Sequence, residues 1–133
     1  MPCIGEISSP FGWRNDPITG EFKYHNGWDI KVNSGTPFKA IADGIVYFAG
    51  LGDPKGYAHF IVLDHGLING KIVTSEYGHI TTHCVSKGLS VKQGQIIGTT
   101  GNAGKSTGPH LHLTIRQGRY KGIGVDPSIY IRN

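Results

Sequence analysis

The chain alternates apolar and polar residues over short runs and breaks those runs with Gly, Pro, Asn and Asp. The clearest run is His110-Leu111-His112-Leu113-Thr114-Ile115-Arg116-Gln117. Residues two apart on a strand point to the same face. A strand over 110–117 therefore carries His110, His112, Thr114 and Arg116 on one side and Leu111, Leu113, Ile115 and Gln117 on the other. The apolar side can enter a core while the histidines line an accessible surface. Further strands are predicted over 28–32, 44–49, 60–64, 71–77 and 95–100, each bounded by turn-forming residues. Asn69-Gly70, between two of these runs, is the strongest hairpin signal. Helix is expected only in two short pieces, 81–85 and 127–130. The expected fold class is mainly β: one domain over 1–133, built as an antiparallel β-sheet assembly.

Composition narrows this picture. A chain of 133 residues suits a single core, and 21 glycines and 7 prolines imply many turns. No apolar run approaches the roughly 20 residues that span a bilayer, so membrane insertion is not expected. The start, Met1-Pro2-Cys3-Ile4-Gly5-Glu6, has neither a basic nor an apolar signal-peptide region. The chain then reads as cytoplasmic, as exported by another route, or as a domain cut from a longer protein. A net charge of +4 fits a polyanionic partner. Its one basic cluster, Arg116 to Lys121, is thin and comes with no nucleic-acid motif, so nucleic acid is not the expected partner. An anionic cell wall fits the charge equally well. The two cysteines, Cys3 and Cys84, make no C-x-x-C; one disulfide and two separate thiols both remain open.

Histidine is the anomaly, with seven residues at 25, 59, 65, 79, 83, 110 and 112. His25 and Asp29 are four apart in His25-Asn26-Gly27-Trp28-Asp29. A strand would send both to one face, and a turn at Asn26-Gly27 would equally fold them around one ion. Three side chains among His25, Asp29, His110 and His112 could make a catalytic zinc site with one position left for water. In one allocation His112 completes the set, and His110 works beside it as acid or base. The H-E-x-x-H helix of many metalloproteases is absent, and glutamate is scarce. Histidine must then supply the general base, and His79, closing Tyr77-Gly78-His79, is a candidate to face His110. The segment 99–106 approaches a P-loop but lacks the first glycine, and Thr107-Gly108-Pro109 and a strand follow where a helix is required. Its expected role is to shape the approach to His110.

At these residues the chain resembles the M23 family of zinc metallopeptidases, the lysostaphin and LytM type of peptidoglycan endopeptidase. The resemblance runs through Ile7-Ser8-Ser9-Pro10-Phe11-Gly12-Trp13-Arg14, Pro17-Ile18-Thr19-Gly20, His25-Asn26-Gly27-Trp28-Asp29-Ile30, Asp64-His65-Gly66, Tyr77-Gly78-His79, the stretch 101–112 and Val125-Asp126-Pro127. It implies the lysostaphin-like, duplicated-hybrid-motif fold and one Zn2+ per chain. It implies His25, Asp29 and His112 as zinc ligands and His79 and His110 as catalytic histidines. His59 and His65 match no such role, and His83 is a candidate groove residue. The implied substrate is the peptide part of bacterial peptidoglycan, cut outside the cell or in the wall by a monomer. Cross-link or stem bonds such as D-Ala–X are expected, with glycyl–glycine bridges as the alternative. The first part of the chain resembles the broad bacterial and phage branch more than lysostaphin, which favours the D-Ala–X expectation. With no signal peptide or wall-binding domain in the sequence, the expectation is an excised domain, as from a phage or prophage lytic protein. Relatives that serve as non-catalytic wall-binding or hydrolase-activating modules lack part of the His/Asp set, which this chain holds at all five positions. The family's transition-state tyrosine is not transferable, because Tyr24 lies directly beside His25. An inhibitory segment before the domain is not expected, so the groove should be open.

Overall fold

The computed structural model describes residues 1–15, 20–53, 58–101, 109–118 and 122–131. Alternation decides what each strand buries. In the strand His110–Gln117, Leu111, Leu113 and Ile115 are fully buried, as their period of two requires. In chain order the strands are β1 (Glu6–Ser9), β2 (Gly12–Asn15), β3 (Phe22–His25), β4 (Trp28–Lys31), β5 (Pro37–Lys39), β6 (Gly44–Asp53), β7 (Ala58–Ile68), β8 (Lys71–Gly78), β9 (Ile80–His83), β10 (Ser90–Val91), β11 (Ile96–Thr100), β12 (His110–Gln117) and β13 (Ile123–Val125). A 3-10 turn, Pro127–Ile129, follows, capped by the Asp126 side chain on the Ser128 N–H.

The largest sheet runs β1-β4-β12-β8-β7-β6-β10, with β13 also on β12. A smaller sheet runs β5-β11-β9, and β2 pairs with β3 as a separate ribbon. All these pairings are antiparallel. The small sheet adds Phe38, Ile80 and Ile97 to a core that the large sheet fills with Ile30, Ile61, Leu63, Tyr77, Leu111 and Leu113. Phe38 stacks on Tyr77 at 5.5 Å, tying the two sheets together. Because both faces of β8 are covered, Val73 through Gly78 are buried without alternation.

The expected mainly β fold is present. The Asn69-Gly70 hairpin joins β7 to β8, with φ of +51° and +82° at its two turn residues. The expected helix over 81–85 is a correction: 80–83 form β9, paired with β11 through Thr82↔Thr99 and His83↔Gly98. Two adjacent β-branched threonines favour that outcome. The strand expected over 44–49 extends to Asp53. The motif residues 17–19, the loop 102–108 and residues 119–121 of the basic cluster lie outside the described residues. Among the described residues no helix is long and apolar enough to cross a membrane. The cysteines are unbridged: Cys84 is exposed, and burial pushes the Cys3 thiol up to about 11.

Candidate metal centre

The centre is assembled by strand register. Asp29 on β4 lies directly opposite His112 on β12, and His112 lies opposite Gly78 at the end of β8. The next residue after Gly78 is His79. One row across three strands thus carries a carboxylate, an imidazole and the lead-in to a second imidazole. His25 reaches the same point by the Asn26-Gly27 turn, which separates β3 from β4. Of the two geometries open from sequence, the turn is the one found. Gly27 lies so close to the Leu113 carbonyl that a Cβ there would collide with it, so the turn can seat against β12 only as glycine.

The three side chains converge on one oxygen. Asp29 Oδ1 is 2.7 Å from His112 Nδ1 and 3.5 Å from His25 Nε2. The ligand-capable atoms of His25, Asp29 and His112 all lie within 4.8 Å of one another. His25 Nδ1–H donates to the Pro10 carbonyl at 2.9 Å, which leaves Nε2 as the lone-pair nitrogen facing Asp29. His112 Nε2 is 2.9 Å from the Thr114 hydroxyl, the next residue on the same strand face. A hydroxyl can donate or accept, so Thr114 supports either His112 tautomer, including the one that frees Nδ1 for a cation. Burial pushes His112 below its ordinary pKa, against the opposing pull of Asp29, and so keeps it a neutral ligand. Burial alone would raise Asp29, but a hydrogen bond from His112 and the electrostatic influence of the His112 and His25 rings outweigh it and hold the carboxyl well below the usual range. Two imidazole nitrogens and an ionised oxygen, held by further hydrogen bonds, suit a tetrahedral zinc ion.

His110 and His79 stand beside this set. His110 Nε2 lies 3.6 Å from the same Asp29 oxygen, almost as near as His25, so distance to the carboxylate does not separate their roles. Their surroundings differ. His110 falls outside the three-way cluster and packs against His79, with ring centroids 4.7 Å apart. His79 is buried and adopts φ of +59°, a left-handed conformation unusual for a histidine. Such strain, of order 1–3 kcal/mol, persists only where the surroundings enforce it, and here it turns the ring back toward His110 between β8 and β9. The expectation that the β12 histidines line an accessible surface is barely met, since the side chains of His110 and His112 are only 12% and 10% exposed. His112 is buried, because β4 and β8 flank it on both sides.

Two supporting groups went unassigned in the sequence. Thr114 shares the face of His112 in the alternation, which was its one available signal. The Pro10 carbonyl had none, since it depends on a 15-residue return of the chain. The remaining histidines gather elsewhere: His65 bonds Ser75 and the Asp43 carbonyl, and His83 meets His59.

The sequence profile described as Peptidase family M23 matches residues 23–127. The DD-carboxypeptidase/endopeptidase Mpg of Neisseria meningitidis serogroup B is 39% identical over 121 residues, 91% of this chain. The chain spans 26% of the length of that relative. Among solved structures, the catalytic domain of the antimicrobial peptidase lysostaphin from Staphylococcus simulans superposes with a TM-score of 0.82 at 32% identity, covering 95% of this chain and 91% of that one. A zinc-containing peptidase from Vibrio cholerae superposes with a TM-score of 0.77 at 32% identity, covering 92% of this chain and 35% of the other.

Proposed function

The chain belongs to Peptidase family M23, and from that premise we propose that it is a zinc endopeptidase of bacterial peptidoglycan, a single catalytic domain binding one zinc ion. The observation that carries this reading is the convergence of His25 Nε2, Asp29 Oδ1 and His112 Nδ1 beside the packed pair His79 and His110. His25, Asp29 and His112 hold the ion. When bound, zinc supplies a Lewis acid that polarises the scissile carbonyl and lowers the pKa of water. Of His79 and His110, one takes the proton of the attacking water. The other stabilises the developing oxyanion or protonates the leaving amine. Asp29 stays ionised throughout, balancing the charge that gathers around it. The Pro10 carbonyl and the Thr114 hydroxyl keep the two ligand rings aimed.

The substrate is the peptide portion of the wall, and the bond is D-Ala–X in cross-links or stems. The similarity to the Neisseria DD-carboxypeptidase/endopeptidase supports this over glycyl bridges. Such an enzyme acts outside the cell or in the wall, as a monomer. Mass spectrometry of muropeptides released from several wall types tests the bond. Loss of D-Ala–X cross-linked dimers is expected in zinc-loaded digests and not after chelation. Release only from glycine-bridged walls would overturn the bond assignment.

A further inference from the structure

A second histidine cluster lies outside the proposed active site. His59, near the start of β7, and His83, the last residue of β9, belong to different sheets and meet at the surface. His59 Nε2 is 2.6 Å from His83 Nδ1, and the rings lie 4.8 Å apart at 78°. The His59 ring also hydrogen-bonds the Thr81 backbone. A backbone carbonyl on one ring nitrogen fixes the tautomer and turns the other nitrogen outward as a lone pair, the arrangement that orients metal-binding histidines. His83 Nδ1–H then donates to His59 Nε2, and His83 itself is exposed.

We propose that His59 and His83 form a second, weaker site for a borderline divalent cation such as Zn2+, Ni2+ or Cu2+. The cation takes the place of the shared proton between His59 Nε2 and His83 Nδ1. That proton moves through solvent to His83 Nε2, so both rings stay neutral and the protonation count is unchanged. Imidazole nitrogens about 2.0–2.1 Å from a tetrahedral ion sit somewhat over 3 Å apart. The rings must therefore open by a fraction of an ångström, which surface side chains can do. Water fills the remaining positions. Two imidazoles without a carboxylate suit zinc, nickel and copper rather than magnesium or calcium, and hold them less tightly than the buried centre.

Equilibrium dialysis of the zinc-loaded protein against rising Zn2+ tests this. A second equivalent is expected, and His59→Gln and His83→Gln should each weaken it by about tenfold or more while leaving the first in place. Histidine ring proton spectra of the unaltered protein under Ni2+ give an independent readout, with broadening expected at His59 and His83 ahead of His65. Absence of a second equivalent, or one untouched by both substitutions and with no selective broadening, would overturn the proposal.

Discussion

Two histidine networks, one around buried His112 and one around half-buried His65, meet strand β8 and have opposite character. At its end, beside Gly78, His112 faces a carboxylate that also lies within 3.6 Å of His25 and His110. Three residues earlier, Ser75 anchors a network around His65. There Nδ1–H donates to the Asp43 carbonyl at 2.8 Å, and Nε2 is 2.7 Å from the Ser75 hydroxyl. Ser75 bonds the Tyr77 hydroxyl, which accepts the Ile41 N–H. Hydrogen bonding on both ring nitrogens is common to both histidines, so it does not mark function. The difference is that His65 has a neutral protein partner on each ring nitrogen, while His112 turns one nitrogen to a shared anion. The first arrangement closes a structure. The second leaves a concentration of negative charge and nitrogen lone pairs that a cation completes.

Substitutions should separate the two networks, beginning with the largest effect. Asp29→Ala removes the shared oxygen, and turnover should fall by about 10³-fold or more along with bound zinc, as metal analysis and muropeptide release would record. Thr114→Val keeps all three ligands but removes the hydroxyl that aims His112, so zinc affinity should fall by roughly 10–100-fold in competition with a chelator. His65→Gln should leave zinc and turnover intact and cost about 1–3 kcal/mol in urea unfolding, the scale of a broken buried hydrogen-bond network. The smallest effect is on pH dependence. Burial lowers the His65 pKa below its ordinary value, with the Asp43 carbonyl opposing. Below about pH 6.5 the unfolded chain therefore takes up a proton that the folded chain refuses, and stability falls as pH falls. In zinc-loaded protein this acid-side loss should be shallower in His65→Gln than in the unaltered chain.

How much of this was legible depended on sequence distance. The alternation of 110–117 put the histidines on one strand face and the leucines in the core, and Asn69-Gly70 marked its hairpin, because both are local patterns, but the alternation did not show that the histidine face is itself covered. The short strands β1, β2, β3, β5, β10 and β13 carried too few alternating residues to register. The threonines of β9 read as a helix because their partners on β11 lie 15 to 20 residues downstream. The Asp29–His112 contact, 83 residues apart, exists only through the β4–β12 register. The spacing of His25 and Asp29 suggested a shared ion, but only the turn at Gly27 against β12 decides how they share it. His65 shows the limit of residue type as a signal, since its motif Asp64-His65-Gly66 looks as chemical as any other and its contacts are structural.

In the proposed division of labour, His25, Asp29 and His112 hold the ion while His79 and His110 move protons. Zinc content and muropeptide release measured together on purified His79→Ala test it most directly. One zinc per chain with turnover reduced by about 10²–10⁴-fold is the predicted result. Retained turnover, or zinc lost together with turnover from a folded variant, would contradict it.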